Sequence, residues 1–457
     1  MKVLFIYPKF IKFLENFPGI HFAGGERFTS YPYPAALGIP SLVANTPEKH
    51  EYTFVDENIE EIDYDTDADV IAVSFFTAQA SNAYEICTKF RERGKLVVVG
   101  GMHPSICHEE ASTHADIVCR GEGELLWPVI LDDIERGCSQ EVYCQTDPVD
   151  INALPVPFCG LSYERADKYE MHLDYLELSR GCDIPCGTCV VPVVAGKKLR
   201  LKRLDKVIEA VETLRFPMCF IADDILLMRL HEPAIRGHVH EVFHELERTN
   251  KDHGFVISTV PGYPIDDETL KVMRRGGVSI AYSTYGFEPM TNSILIGDRT
   301  SRTQKVAIIE QIKAIQDAGI LAYAAFHLGF DQHTVAVRDN ILEFCHEANI
   351  KLAQFCLKVP WPGTRIWDEL SRQGRIIHKD WRRYNGANAV FVPKLMTVDE
   401  LEGLFVSLWQ EYSEGFHRLN ELQRSQVVDY NAFENAMRTG AAEGLPLVDA
   451  PGRGGKP

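Results

Sequence analysis

Two series of short apolar runs, each alternating with helical periodicity, organise the chain. In the first, runs at 3–7, 52–55, 70–75, 96–99 and 117–119 are rich in Val, Ile, Leu and Phe, and amphipathic patterns cover 78–93 and 122–135. Short continuous apolar runs between helical patterns predict buried parallel strands, hence a doubly wound α/β sheet. Such sheets bind ligands at the C-terminal ends of their strands, near the point where strand order reverses. The second series places strands at 173–179, 218–222, 254–259, 278–285, 321–328 and 352–359, with helices near 203–215, 232–249, 266–275, 301–318 and 335–347. Six βα units predict a partial (β/α)6 barrel, again with its site at the C-terminal strand ends.

Between the two series, Pro148, Pro155 and Pro157 interrupt a stretch with few periodic apolar positions, which reads as a connector. After the second, Thr397 and Glu400 form a capping-box pattern opening a helix to about 420. The Gly- and Pro-rich end reads as a flexible tail. The layout is thus a sheet domain over 1–140, a linker over 141–170, a barrel over 171–370, an extension over 371–437 and a tail over 438–457.

Composition narrows the function classes. At 457 residues, 45% hydrophobic and 25% charged, the chain suits a globular protein of two or three domains. A net charge of −18 argues against a nucleic-acid partner, which needs a basic surface. No run of about 18 apolar residues predicts a membrane span, and Met1-Lys2 runs directly into the first strand, where no signal peptide is expected. Twelve cysteines at uneven spacing point to reduced thiols and a cytoplasmic location.

Chemistry concentrates just after the first barrel strand, in Ser179-Arg180-Gly181-Cys182-Asp183-Ile184-Pro185-Cys186-Gly187-Thr188-Cys189. The spacing C-x3-C-x2-C sets three thiolates on one loop, within reach of three corners of one cubane. A [4Fe–4S] cluster normally takes four thiolates, so three leave one iron open to a substrate or cofactor. Zinc is the alternative, with His172 as the nearest upstream fourth ligand; the remaining cysteines read as inert buried thiols.

The loop resembles the signature of radical S-adenosylmethionine (SAM) enzymes, in which SAM occupies the open iron. Cys182, Cys186 and Cys189 match its ligands; Thr188 stands where that family usually carries an aromatic residue. The loops after the third to fifth strands of the first series, Ser74-Phe75-Phe76-Thr77, Gly100-Gly101-Met102-His103-Pro104 and Arg120-Gly121-Glu122-Gly123-Glu124, resemble the cobalamin-binding domain of cobalamin-dependent radical SAM enzymes. Tyr33 to Ile39 resembles that family's proline-leucine-glycine segment. The resemblance implies cobalamin contacts at Ser74, Thr77, Gly100, Gly101, His103, Gly121 and Glu122, although a tight turn explains any single glycine pair.

Gly19-Ile20-His21-Phe22-Ala23-Gly24 approaches an Asp-x-His-x-x-Gly cobalt-ligand motif, but Gly19 stands where the histidine's orienting aspartate belongs. His21 is therefore read as a loop residue. In the barrel, Asp223 and Asp224 end the second strand, as SAM contacts or as helix caps. Ser258 ends the third, and Gly286-Phe287-Glu288 resembles the family's Gly-x-Glu segment, with Glu288 near SAM. Val359 to Thr364 resembles a Pro-x-Pro-Gly-Thr turn, with Trp361 set to pack on a cofactor or substrate. The extension resembles that of a subgroup including hopanoid-lipid methylases.

The resemblance implies three cofactors: the cluster, SAM and cobalamin. It also implies an external electron donor of the flavodoxin or ferredoxin type and a small-molecule or lipid substrate. The leading expectation is C-methylation of an unactivated carbon. The alternatives are a non-methylating radical enzyme, such as an oxidative cyclase, and a cobalamin sensor with a vestigial cluster.

Overall fold

The computed structural model describes residues 1–11, 34–169, 171–249, 253–285, 302–350 and 352–417. Its first sheet is wholly parallel, in the order β2-β1-β3-β4-β5-β6: β1 is Lys2–Tyr7, β2 Glu51–Asp56, β3 Val70–Ser74, β4 Leu96–Gly100, β5 Ile117–Arg120 and β6 Val142–Cys144. The chain steps outward from β1 to β2, then returns to β3 on the other side. The order therefore reverses between β1 and β3, which is where such a sheet opens a crevice.

Its strands read as continuous apolar runs because both faces are buried. Leu4, Ile6, Val73 and Val99 face a core shared with the helix Ala80–Arg91. Val3, Phe5, Ala72 and Val98 face another, shared with the helices Gly38–Ala44 and Leu126–Glu135. β6 falls in the stretch read from the sequence as linker. A three-residue edge strand is too short to show a period.

The second sheet is also wholly parallel, and its strands lie in chain order: β7 is Leu173–Glu177, β10 Met218–Ala222, β11 Gly254–Thr259, β12 Val278–Tyr285, β13 Leu321–Leu328 and β14 Leu352–Leu357. Their outer faces bury Ile221, Ile257, Ala281, Phe326 and Phe355 beneath the helices, in one large core. On the inner face, Met218, Val256, Ile280, Tyr323 and Leu352 plug the bottom of an open barrel. Between β7 and β10, a short antiparallel pair, β8 (Ser179–Arg180) and β9 (Arg200–Leu201), closes the neck of the cysteine loop.

The C-terminal segment joins the two units. Ile366, Leu370, Trp381, Tyr384 and Phe391 pack into the core on one face of the first sheet. The helix Val398–His417 instead buries Leu401, Phe405 and Trp409 against the barrel, with Trp409 edge-on to Phe355 at 5.3 Å. The capping box expected at its start is present: Thr397 Oγ1 accepts from Glu400 N at 3.1 Å, and Glu400 accepts from Thr397 N at 2.7 Å. Among the described residues, no helix is long and apolar enough to cross a membrane.

Candidate functional site

At the ends of β3, β4 and β5, backbone borders an opening where side chains would otherwise close it. A cavity of about 210 Å3 lies there, lined by Phe5, Ser74, Gly100, Gly101, Gly121 and Glu122 from the first sheet and by Arg180, Val194 and Ala195 from the barrel. Gly101 has φ +96°, and a Cβ on it would stand 3.0 Å from the backbone N and O of Phe75. Only glycine keeps that edge open. The cavity is smaller than the roughly 300–1,000 Å3 of ordinary ligand pockets. With mostly apolar walls and glycines along the strand ends, it suits one arm of a larger molecule, and cobalamin fits that description.

Of the residues expected to touch that group, Ser74, Gly100, Gly101, Gly121 and Glu122 line the cavity, while Thr77 and His103 do not. Both are buried side by side, with His103 Nδ1 3.1 Å from Thr77 Oγ1, and His103 faces the Trp381 ring at 5.0 Å. They lie on the side of the first sheet that the C-terminal segment covers. His21 lies outside the described residues.

The cysteine loop starts from β8. Gly181 has φ +92°, and a Cβ there would lie 2.4 Å from the Lys198 carbonyl oxygen, so the chain can turn into the loop only at a glycine. Cys182 N donates to Gly196 O at 3.1 Å, and Ile366 N donates to Gly187 O at 3.0 Å. The second bond ties the loop to the turn formed by the Pro-x-Pro-Gly-Thr segment. Trp361 in that turn packs against the first sheet's core. Burial pushes the Cys182 thiol up to about 12 and raises that of Cys189.

Among the described residues, no disulfide forms. His172, the fourth zinc ligand weighed from the sequence, is remote: its Nε2 is bonded to Ala166 O at 2.9 Å and its ring stacks on Phe216 at 4.9 Å.

Asp223 and Asp224 at the end of β10 brace this loop. Asp223 accepts from the Ser179 hydroxyl and from Leu226 N at 2.9 Å, and Asp224 accepts from Gly181 N at 2.8 Å. Burial, opposed by the Ser179 bond, pushes the Asp223 carboxyl up to about 7. Ser258 shares the inner face of β11 with Val256 and is half-buried. Glu288 lies outside the described residues.

A buried ion network joins the two sheet ends. Arg180 donates through Nη1 to Glu122 and Glu124, each at 2.8 Å, and through Nε to Glu177 at 2.5 Å. Arg180 and Arg200 are cross-strand partners in β8 and β9, an unfavourable pairing of like charges. Glu122 lies between them, 2.8 Å from Arg180 Nη1 and 2.9 Å from Arg200 Nη1. Lys202 holds the other oxygen of Glu177 at 3.0 Å. Burial would raise the Glu177 carboxyl, but Arg180 and Lys202 outweigh it and hold it below its ordinary value. Three carboxylates are thus matched by three cations at a largely buried boundary.

The sequence reading passed over this network, although Glu122, Glu124, Glu177, Arg180, Arg200 and Lys202 all flank the motifs it used. It also passed over the barrel's upper lumen. Tyr175, Phe220, Tyr282, Thr284, His327, Gln354 and Cys356 alternate with buried outer-face residues and remain half-buried. Tyr282 meets Tyr323 edge-on at 5.1 Å, and Tyr323 donates to Gln354 at 2.9 Å. The available signal was period two: polar or aromatic residues on one face of otherwise apolar strands.

Comparison with known proteins agrees with this geometry. A family model described as a B12 binding domain matches residues 44–131, which include the ends of β3, β4 and β5. The chain is 28% identical over 379 residues to the bacteriochlorophyllide d C-8(2)-methyltransferase of Chlorobaculum tepidum, covering 78% of this chain and 80% of that protein. It is 27% identical over 403 residues to the bacteriochlorophyllide d C-12(1)-methyltransferase of the same organism, covering 84% and 83%. In fold it is similar to the cobalamin-dependent S-adenosylmethionine radical enzyme OxsB, with a TM-score of 0.66 at 14% identity over 96% of this chain and 71% of that one.

Proposed function

We propose that this chain, a member of the cobalamin-dependent radical SAM enzymes, methylates an unactivated carbon of a small organic or lipid-like substrate. The observation that carries the reading is the shared cavity. Its walls come from the ends of β3 to β5 on one side and from Arg180, Val194 and Ala195, which flank the cysteine loop, on the other. Residues expected to hold cobalamin and residues that flank the cysteine loop therefore border one space.

When bound, the cluster, SAM and cobalamin supply radical generation and methyl transfer. The chain's own residues do the rest. Cys182, Cys186 and Cys189 would hold the cluster by three thiolates, which would leave one iron for SAM. Gly100, Gly101 and Gly121 keep the rim clear for cobalamin. Asp224 and Gly187 pin the loop at both ends through backbone hydrogen bonds, which would hold the three thiols in place for a cluster. Tyr175, Phe220 and Tyr282 offer an apolar, aromatic lumen suited to a lipid-like or flat ring substrate, and dry burial of the ion network keeps water from the boundary. An external one-electron donor of the flavodoxin or ferredoxin type completes the system.

The test is anaerobic turnover with methyl-labelled SAM, cobalamin, a reductant and candidate substrates, read by mass analysis. The reading expects labelled product, 5′-deoxyadenosine and S-adenosylhomocysteine in similar amounts. Unlabelled product with 5′-deoxyadenosine and little S-adenosylhomocysteine would instead identify a ring-forming enzyme. S-adenosylhomocysteine without 5′-deoxyadenosine would mark polar methyl transfer, in keeping with Thr188 beside Cys189. Neither product with any substrate would leave a sensor.

A further inference from the structure

His103, which the resemblance had suggested as a cobalamin contact, does not line the cavity. It is fully buried, and its Nε2 has no hydrogen-bond partner among the described residues. A buried ring nitrogen without a partner is unfavourable unless something occupies it. The Cys107 sulfur and a Glu110 carboxylate oxygen lie with a ring nitrogen of His103 all within 4.8 Å of one another.

The spacing H-x3-C-x2-E explains the convergence. His103 lies in the helix Met102–Ile106 and Glu110 in the helix His108–His114, and Cys107 is the non-helical junction between them, where Cys107 N donates to His103 O at 2.8 Å and turns the second helix back toward the first. Among the described residues this is the one such trio of ligand atoms. A second orphan supports it: the Tyr84 hydroxyl is buried without a partner, and its ring lies 6.0 Å from that of His103.

The surroundings are those of a prepared ligand set. A hydrogen on His103 Nδ1 given to Thr77 Oγ1 leaves a lone pair on Nε2, the second-sphere arrangement that fixes a metal-binding tautomer. Trp381 Nε1 donates to Glu110 Oε1 at 2.7 Å, orienting the carboxylate and leaving its other oxygen available. One imidazole nitrogen, one thiolate and one carboxylate make a borderline donor set. Calcium and magnesium prefer all-oxygen shells, and soft copper(I) prefers thiolates and thioethers. A divalent ion would also balance the two anionic ligands, leaving a neutral buried site.

We propose that His103, Cys107 and Glu110 bind a zinc-class divalent cation, a site separate from the cluster loop and from the cavity. It is structural, fastening the Trp381 segment of the C-terminal extension to the helices that follow β4. Tyr84 or a water completes four ligands.

Metal analysis of the full chain tests it. After cluster reconstitution, exposure to zinc and desalting over a chelating resin, the chain is expected to keep about one zinc besides about four irons. Cys107→Ala and Glu110→Gln, the latter still able to accept from Trp381, should each lower zinc roughly tenfold while iron and bound cobalamin stay unchanged. In the full chain with Cys182, Cys186 and Cys189 all replaced by alanine, cobalt(II) should give a thiolate-to-cobalt charge-transfer band that vanishes when Cys107→Ala is added. Zinc retention indifferent to Cys107→Ala, absence of retained zinc, or a cobalt spectrum without a thiolate band would each overturn the proposal.

Discussion

The two parallel sheets end in the same place and build their sites by opposite means. The first works by removal: glycines and apolar side chains at the ends of β3, β4 and β5 leave a shaped gap with little chemistry of its own. The second works by supply: three thiols, two bracing carboxylates and a half-buried aromatic lumen crowd the ends of β7, β10, β11 and β12. A gap can hold a large preformed cofactor whose chemistry is complete without protein ligands. A cluster and an oriented SAM need donors placed atom by atom. Arg180 belongs to both, since it lines the gap and begins the cysteine loop.

This contrast can be broken most completely at the cysteines. Replacing Cys182, Cys186 and Cys189 together with alanine should lower cluster iron from about four per chain to background. Bound cobalamin should remain, because the gap is built without them. Parallel loss of both would deny the separation.

The next largest effect is expected at Arg180. Arg180→Ala leaves Glu122, Glu124 and Glu177 short of a buried partner, at a cost of about 3–5 kcal/mol. Denaturant unfolding should show that loss, and cluster and cobalamin contents should fall together. A change below about 1 kcal/mol, the range of surface pairs, would mean that water reaches the network.

A smaller change sharpens the first edge alone. Gly101→Ala forces a side chain into a left-handed backbone whose Cβ would meet Phe75 at 3.0 Å. Strain of about 1–3 kcal/mol should weaken cobalamin binding about tenfold or more with iron content intact, as titration of the corrinoid spectrum would show.

The smallest effect tests the second edge. The Asp223 carboxyl titrates near 7 when folded but near 3.9 when unfolded. Between those values the unfolded chain ionises while the native site resists, so this group's contribution to stability falls as pH rises from about 4 to 7 and is constant above. Asp223→Asn should flatten that slope in a pH series of unfolding midpoints.

Much of this architecture was legible in the sequence, for identifiable reasons. All six barrel strands lie where the apolar runs placed them, because the outer face packed beneath the helices and the plugged bottom of the lumen keep each run mostly apolar. The cysteine loop stood out because three thiols at C-x3-C-x2-C match the kind of spacing that metal ligands would impose. β6 was missed because three residues carry no period. Thr77 and His103, which the resemblance implied as cobalamin contacts, do not line the cavity, because position in a loop does not fix which side of the sheet a side chain faces. The ion network was missed because its members converge from the ends of β5 and β7 and from a two-residue hairpin, a meeting that only the tertiary fold creates.

The central claim is that the two sheet ends face one another across a common space. Pulsed electron paramagnetic resonance on the reduced, loaded chain tests it directly, since cob(II)alamin and a one-electron-reduced cluster each carry an unpaired electron. The account expects strong dipolar coupling between the two signals, unchanged by Gln at Glu110 and diminished in Arg180→Ala. Two well-populated signals with no measurable coupling would contradict it.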